Sequence, residues 1–358
     1  MRSTLRAPVV AHLPATASPI LPRLTHVWIP SPLRPPPLAA SARCLCPSAG
    51  AFAGEFGDNF IDGTDLEGGH TEASLSTVSW LIPQMLLEQR GVLDGVLDAS
   101  EEAGVKRVAA LMEEALEWGV ALHDAHTPVE YAGFLTKWMD RVDTILAGAA
   151  GECVLLPGGW CTNNGGHAIM HALERSDRPL GDGGEFIVVT LNTGQGVGHH
   201  PGSSKWFPKE KRRTAIRLLA DAERIVDPGV WFVLWQQMRE WKAVHGPSVL
   251  YESLLPHLAG DVQLQDALRA AEASGVRQGE WETPQKTGTC YYRCVLCALR
   301  YLLRERAGLD RKQRKHVTLA LRLQYLAVMR RQARIAISQR PGFCEDDAWS
   351  EVEASTAG

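Results

Sequence analysis

Cys290 stands in the stretch Thr283-Pro284-Gln285-Lys286-Thr287-Gly288-Thr289-Cys290-Tyr291-Tyr292-Arg293-Cys294. A turn-forming Lys-Thr-Gly-Thr separates Gln285 from the cysteine, and a run of apolar and arginine residues follows from Tyr291 to Arg306. The pattern puts Cys290 at or beside a helix N-terminus. Unpaired N–H groups and the positive end of the helix dipole favour a thiolate there. A thiolate becomes a useful nucleophile when a base lies within reach and an acceptor orients that base. His167 and Asn192 are the candidates. His167 opens a strand over 167–174, and Asn192 closes another over 186–192. If Glu174 pairs with Glu185, His167 pairs with Asn192 on one face of a hairpin. The amide of Gln285 and the backbone N–H of Cys290 can then donate to an oxyanion. A cysteine at a helix start and a histidine in a strand each have a plain structural reading as packing residues. Their joint order, with a glutamine just before the cysteine and a glycine-rich segment before the histidine, points to a cysteine hydrolase.

The order His167, Asn192, Gln285, Cys290 resembles that of the ubiquitin-like-protein proteases and of bacterial effectors of the YopJ and chlamydial deubiquitinase type. The resemblance runs from about Cys153 to Leu303. It implies His167 as base, Asn192 as the third member, Gln285 as oxyanion donor and Cys290 as nucleophile. It also implies ubiquitin or a ubiquitin-like protein as partner, and no cofactor. The chain departs from the pattern at three places. Asn192 stands where Asp or Glu is usual, Ala168 where the SUMO proteases carry tryptophan, and the stretch from Asn192 to Gln285 is long and helix-rich. Gly165, Gly166, Trp160 and Trp281 flank the candidate segments and could wall a channel for a Gly-Gly tail, or simply pack. A YopJ-like acyltransferase with the same residues is one alternative. A non-catalytic helical interaction protein, docking through the basic stretch from Arg304 to Arg340, is another.

Other constellations compete. Cys290, Cys294 and Cys297 have the spacing of cluster-binding radical enzymes, but the spacing falls inside a helix-forming run with no room for a barrel after it. Helical periodicity puts the three on one face, which makes Cys294 and Cys297 core residues. Zinc through these cysteines and His199 or His200 lacks a second paired spacing, so no metal site is expected. We read Gly194-Gln195-Gly196-Val197-Gly198 as a mobile loop rather than a phosphate cradle, and His199-His200 as solvated.

The elements that must position these residues read as α+β: a small antiparallel sheet packed by helices. Residues 1–54 contain five arginines and no acidic residue, with many prolines, and read as a disordered or transit-like leader. A helical subdomain follows over 55–150. It has a helix from Thr71 to Gln89, one opening at Ser100, and one opening with the Thr127-Pro128-Val129-Glu130 capping box. The catalytic domain spans 151–340, with a short strand over 153–156, a glycine-rich loop over 157–166, and a turn region over 175–184. Further helices are expected over 210–225, 230–244, 248–258 and 310–337, with an acidic tail over 341–358. The net charge of -4 carries no global attraction for nucleic acid. No apolar run reaches the roughly 18 residues of a membrane helix. Eight cysteines in 358 residues do not make a disulfide framework, and the expected compartment is the reducing cytoplasm, with organelle targeting by the leader as the alternative.

Overall fold

The computed structural model describes residues 71–162, 165–180, 184–203, 210–239, 246–285 and 290–338. The leader, the acidic tail and the Lys286-Thr287-Gly288-Thr289 turn lie outside the described residues. In chain order the main elements are α1 (Thr71–Glu88), α2 (Ala99–Asp124), α3 (Pro128–Ala147), β1 (Cys153–Thr162), β2 (Gly165–Leu180), β3 (Gly184–Leu191), β4 (Arg212–Arg213) and β5 (Ala215–Ala220). Then come α4 (Pro228–Arg239), a π-helical turn (Val249–Leu254), α5 (Leu264–Ala273), β6 (Trp281–Glu282), α6 (Cys290–Glu305) and α7 (Arg311–Ser338).

The protein is α+β. One antiparallel sheet has the order β1-β2-β3-β5, and a two-stranded ribbon pairs β4 with β6. Side-chain alternation along β2 splits the core into two layers. Met170 and Ala172 face α1, α2 and α6, together with Leu75, Val108 and Val295. Ile169 and Leu173 face α3, α4 and the π-helical turn, together with Trp138, Trp235 and Tyr251. The helices expected as a separate subdomain over 55–150 therefore share their core with the sheet. The helix starts follow capping chemistry. Thr127 and Glu130 form the expected reciprocal box, and the second helix is capped by Asp98 with Glu101, two residues before the expected Ser100.

Three local expectations change. Residues 157–162 and 165–166 of the glycine-rich segment are strand, because β1 runs to Thr162 and pairs residue for residue with β2 from Gly165. Gly159 makes this possible. Its φ is +149°, and a Cβ there would sit 2.1 Å from the carbonyl oxygen of His167. Among the described residues of the expected turn region, 175–180 and Gly184 are strand, with an irregular register between Arg175 and Leu180. The helix expected over 210–225 is instead β4, β5 and one helical turn, Ala222–Ile225. Alanine and leucine in Ala215-Ile216-Arg217-Leu218-Leu219-Ala220 suit a helix, but pairing with the β-branched β3 overrides that preference. Gln278 covers the outer edge of β5. Its side chain accepts from the Arg217 N–H at 2.8 Å and donates to the Arg217 carbonyl at 2.9 Å, as a neighbouring strand would.

A buried ionic knot ties β2, β5 and α6 together. Glu174 is 1 % exposed. It accepts from Arg217 at 2.7 Å and from the Tyr301 hydroxyl at 2.7 Å, and pairs with Arg306 at 2.8 Å. Burial alone would raise its pKa, but Arg306, Arg217 and Tyr301 more than offset this and hold it below the usual range. Glu174→Gln should cost about 3 kcal/mol, because it removes the buried carboxylate that Arg217 and Arg306 share. Urea unfolding at pH 7 checks this, and a cost below about 1 kcal/mol would remove the knot from the account.

Candidate active site at the end of the sheet

The hairpin register expected from the strand ends pairs Glu174 with Glu185. The structure pairs Glu174 with Ile187, a slip of two residues. A slip of two preserves the face, so His167 and Asn192 still meet, diagonally rather than directly. Asn192 follows the last residue of β3, and its N–H donates to the Thr214 carbonyl at 2.8 Å.

His167 is 7 % exposed, and its Nε2 lies 2.9 Å from Asn192 Oδ1. The proton positions in this pair follow from a neighbour. The Gly194 N–H, which can only donate, reaches the same Asn192 oxygen at 2.9 Å. Asn192 Nδ2 donates to the Gln195 carbonyl at 2.7 Å and to Tyr251 Oη at 2.9 Å. The carboxamide therefore has one orientation, and Nε2 of His167 must carry the proton. Nδ1 is left with its lone pair. It has no hydrogen-bond partner among the described residues and is not one of the sealed polar atoms. Burial pushes the His167 pKa down, and the Asn192 hydrogen bond only partly opposes this, so the ring is neutral at pH 7 and able to accept a proton.

The order continues beyond Asn192. Having received the Asn192 N–H, the Tyr251 hydroxyl gives its own proton to His200 Nε2, 3.0 Å away. His200 Nδ1 lies 2.5 Å from the Arg213 carbonyl, which can only accept. The chain from Gly194 to Arg213 has one consistent set of protons. His200 is not solvated, as expected of the His199-His200 pair, but 1 % exposed. The segment after Asn192 is a compact turn. Val197 is buried, and Arg212 holds the carbonyls of Gly198 and His200 at 3.0 and 2.9 Å.

Gln285 comes to the same place. Its N–H donates to the Thr193 carbonyl at 2.7 Å, and its Oε1 accepts from the Thr193 hydroxyl at 2.8 Å. The pairing of Arg213 with Trp281 delivers this segment. Gly194 separates the glutamine from the histidine: a Cβ at 194 would lie 2.6 Å from His167 Cε1 and 2.8 Å from Gln285 Nε2. Only glycine leaves the imidazole and the carboxamide this close.

Cys290 is the first residue of α6 and is half-buried. Tyr301 of this helix touches Glu174, and Cys297 Sγ lies 3.9 Å from the same Thr214 carbonyl that holds Asn192. The helix therefore points its N-terminus toward the end of the sheet that carries His167. Cys290 lies two turns beyond Cys297, about 10 Å along the axis. No described hydrogen bond joins Cys290 to His167. Burial pushes up the thiols of Cys153, Cys161, Cys294 and Cys297, the last to about 11, which disfavours a thiolate at each. Cys294 and Cys297 are core residues, as their helical spacing implies.

The expected channel walls fare differently. Trp160 is 1 % exposed and tilted against His167 at 5.0 Å between ring centroids, with Nε1 donating to Gln195 Oε1. It is a backing for the imidazole rather than an open wall. Trp281 is covered by the Arg213 guanidinium, 4.2 Å from its ring centroid. Gly166 is exposed opposite Cys161, and Gly165 pairs with Thr162 at the end of the β1–β2 ladder. Tyr251 and Thr193 escape sequence reasoning, and it gives Gly194 and His200 other roles, a mobile loop and a solvated pair. The signal they share is that a buried carboxamide needs several partners.

Comparison with protein-family models, curated proteins and solved structures returned no match. Among the described residues, no helix is long and apolar enough to cross a membrane.

Two measurements follow. Tyr251→Phe leaves Asn192 Nδ2 and His200 Nε2 each short of a partner and should cost about 1–3 kcal/mol, read by chemical unfolding. Burial pushes His171 and His200 down to about 4, against about 6.5 in the unfolded chain. Their contribution is complete above about pH 6.5 and is lost as the pH falls toward 4, at about 1.4 kcal/mol per pH unit for each group. Stability that stays flat from pH 7 to 4.5 would contradict their neutral burial.

Proposed function

We propose that the protein is a cysteine-dependent hydrolase of α+β fold that works through a thioester, with Cys290 as nucleophile and His167 as base. The observation that carries this reading is the Gly194–Asn192–His167 arrangement. It leaves an unprotonated, accessible Nδ1 beside the Gln285 carboxamide, at the sheet end toward which α6 points its N-terminus.

In the proposed reaction Cys290 Sγ attacks the substrate carbonyl carbon while its proton passes to His167 Nδ1. The oxyanion is held by Gln285 Nε2 and the Cys290 backbone N–H. Collapse breaks the C–N bond, and His167 returns the proton to the leaving amine. Water, deprotonated by His167, then hydrolyses the thioester and regenerates the thiol. Asn192 keeps the imidazole in the working tautomer. Because Asn192 is neutral, it stabilises the imidazolium less than a carboxylate would. The contact from nucleophile to base is one that free enzymes often hold loosely and tighten around substrate. The substrate class implied by the resemblance to ubiquitin-like-protein proteases is the C-terminal tail of ubiquitin or a ubiquitin-like protein.

A ubiquitin probe with a C-terminal electrophile tests the substrate, and iodoacetamide tests the thiol. The expected results are one covalent adduct, lost in Cys290→Ala, and alkylation of Cys290 that slows about tenfold or more in His167→Ala. Fast alkylation without a ubiquitin adduct would keep the nucleophile and reject the substrate. An acetyl transfer from acetyl-CoA that needs Cys290 would reassign it as an acyltransferase. Alkylation no faster than an ordinary thiol, and indifferent to His167, would end the hydrolase reading.

A further inference from the structure

The sequence of α7 holds eight Lys or Arg residues and no Asp or Glu. One face of the helix belongs to the core that α1 and α6 share, through Val317, Ala320, Leu321 and Val328. Gln324, 1 % exposed, accepts from the Gln89 amide at 3.0 Å and donates to Glu88 at 3.0 Å. These contacts fix the helix and turn its other face outward. Leu319, Leu323 and Leu326 stand on that outer face at i, i+4 and i+7, and are 49, 38 and 61 % exposed. A single exposed leucine is ordinary, but three in one stripe mark a contact surface.

Cations surround the stripe. Lys312 and Arg330 continue its line at either end, and Lys315 and Arg322 lie four residues before and three after Leu319. All four are exposed. Among the described residues, only Arg314 and Arg331 of this helix pair with a carboxylate. The partner must therefore accept leucine at the centre and supply negative charge around it. Nucleic-acid phosphates would engage the cations and leave the leucines in water. A second copy would set these cations against their own kind. A helix-to-helix seam needs apolar positions sustained over several heptads, whereas these leucines span about 10 Å. The cations reach further, about 28 Å from Arg311 to Arg330. A lipid surface meets both demands, because anionic headgroups extend over any length and acyl chains lie just beneath for a few short anchors. The chain's net charge of -4 gives no general pull toward such a surface, so the attraction is local to α7.

We propose that the outer face of α7 seats the protein on an anionic lipid surface, with Leu319, Leu323 and Leu326 entering below the headgroups and the flanking cations pairing with them. The surface stands apart from the cysteine chemistry and does not depend on it. Co-sedimentation of the full chain with phosphatidylcholine vesicles, plain or with about a quarter phosphatidylserine, tests it. Binding should require phosphatidylserine and fall about tenfold or more between about 0.1 and 0.5 M salt. Leu323→Gln with Leu326→Gln should weaken it about tenfold or more, and Lys315→Glu with Arg322→Glu by at least as much. All four positions are exposed, so thermal unfolding of these variants should match that of the unaltered chain. Absence of binding to the phosphatidylserine vesicles would overturn the proposal. So would binding indifferent to the leucine pair, which would be charge adhesion without a seated face. Saturable binding of an acidic, leucine-bearing helical peptide in place of vesicles would give the face to a protein partner. Self-association in place of vesicle binding, lost in the leucine variant, would give it to a second copy.

Discussion

The site depends on one carboxamide held in one orientation. Asn192 is fully buried, and every polar atom of its side chain is engaged by a group whose own direction is fixed. A main-chain N–H at Gly194 identifies the oxygen, and a main-chain carbonyl at Gln195 identifies the nitrogen. The His167 tautomer follows from these without any assumption about chemistry. A carboxylate would fix the ring nitrogen with either end, because both ends only accept; the carboxamide does so only because its neighbours hold it in one orientation. It is also weaker electrostatically: burial pushes the His167 pKa down, and the Asn192 hydrogen bond only partly opposes it.

The larger architecture serves to bring three distant segments to this carboxamide. The antiparallel sheet supplies His167 and Asn192 from adjacent strands. The small β4–β6 ribbon supplies Gln285, through the pairing of Arg213 with Trp281. The buried Glu174 knot and the contact of Cys297 with Thr214 fix the direction of α6, and so the place of Cys290. Arg213 serves twice: its carbonyl anchors His200 at the far end of the proton order, and its guanidinium covers Trp281.

Much of this was legible in the sequence. Capping boxes and apolar periodicity locate the long helices within a residue or two, since those signals are local. The hairpin and its facing residues survive a register slip because the slip is of even length. What the sequence hid is of two kinds. Gly158 and Gly159 look like loop, but they are strand residues made small by close neighbours across the ladder, which only tertiary contact reveals. Ala215 to Ala220 looks helical because alanine and leucine favour a helix, while partnership with β3 makes it a strand. Tyr251 carries no local mark, the His199-His200 pair gives no sign that His200 is buried, and their role exists only through a buried polar order that spans four segments.

The most direct measurement is the protonation of the His167 ring, read from the nitrogen resonances of ¹⁵N-histidine-labelled protein at pH 7, with His167→Gln for assignment. The account predicts a neutral ring bearing its proton on Nε2, with Nδ1 unprotonated. A proton on Nδ1 at that pH, whether in the other tautomer or in an imidazolium, would contradict it.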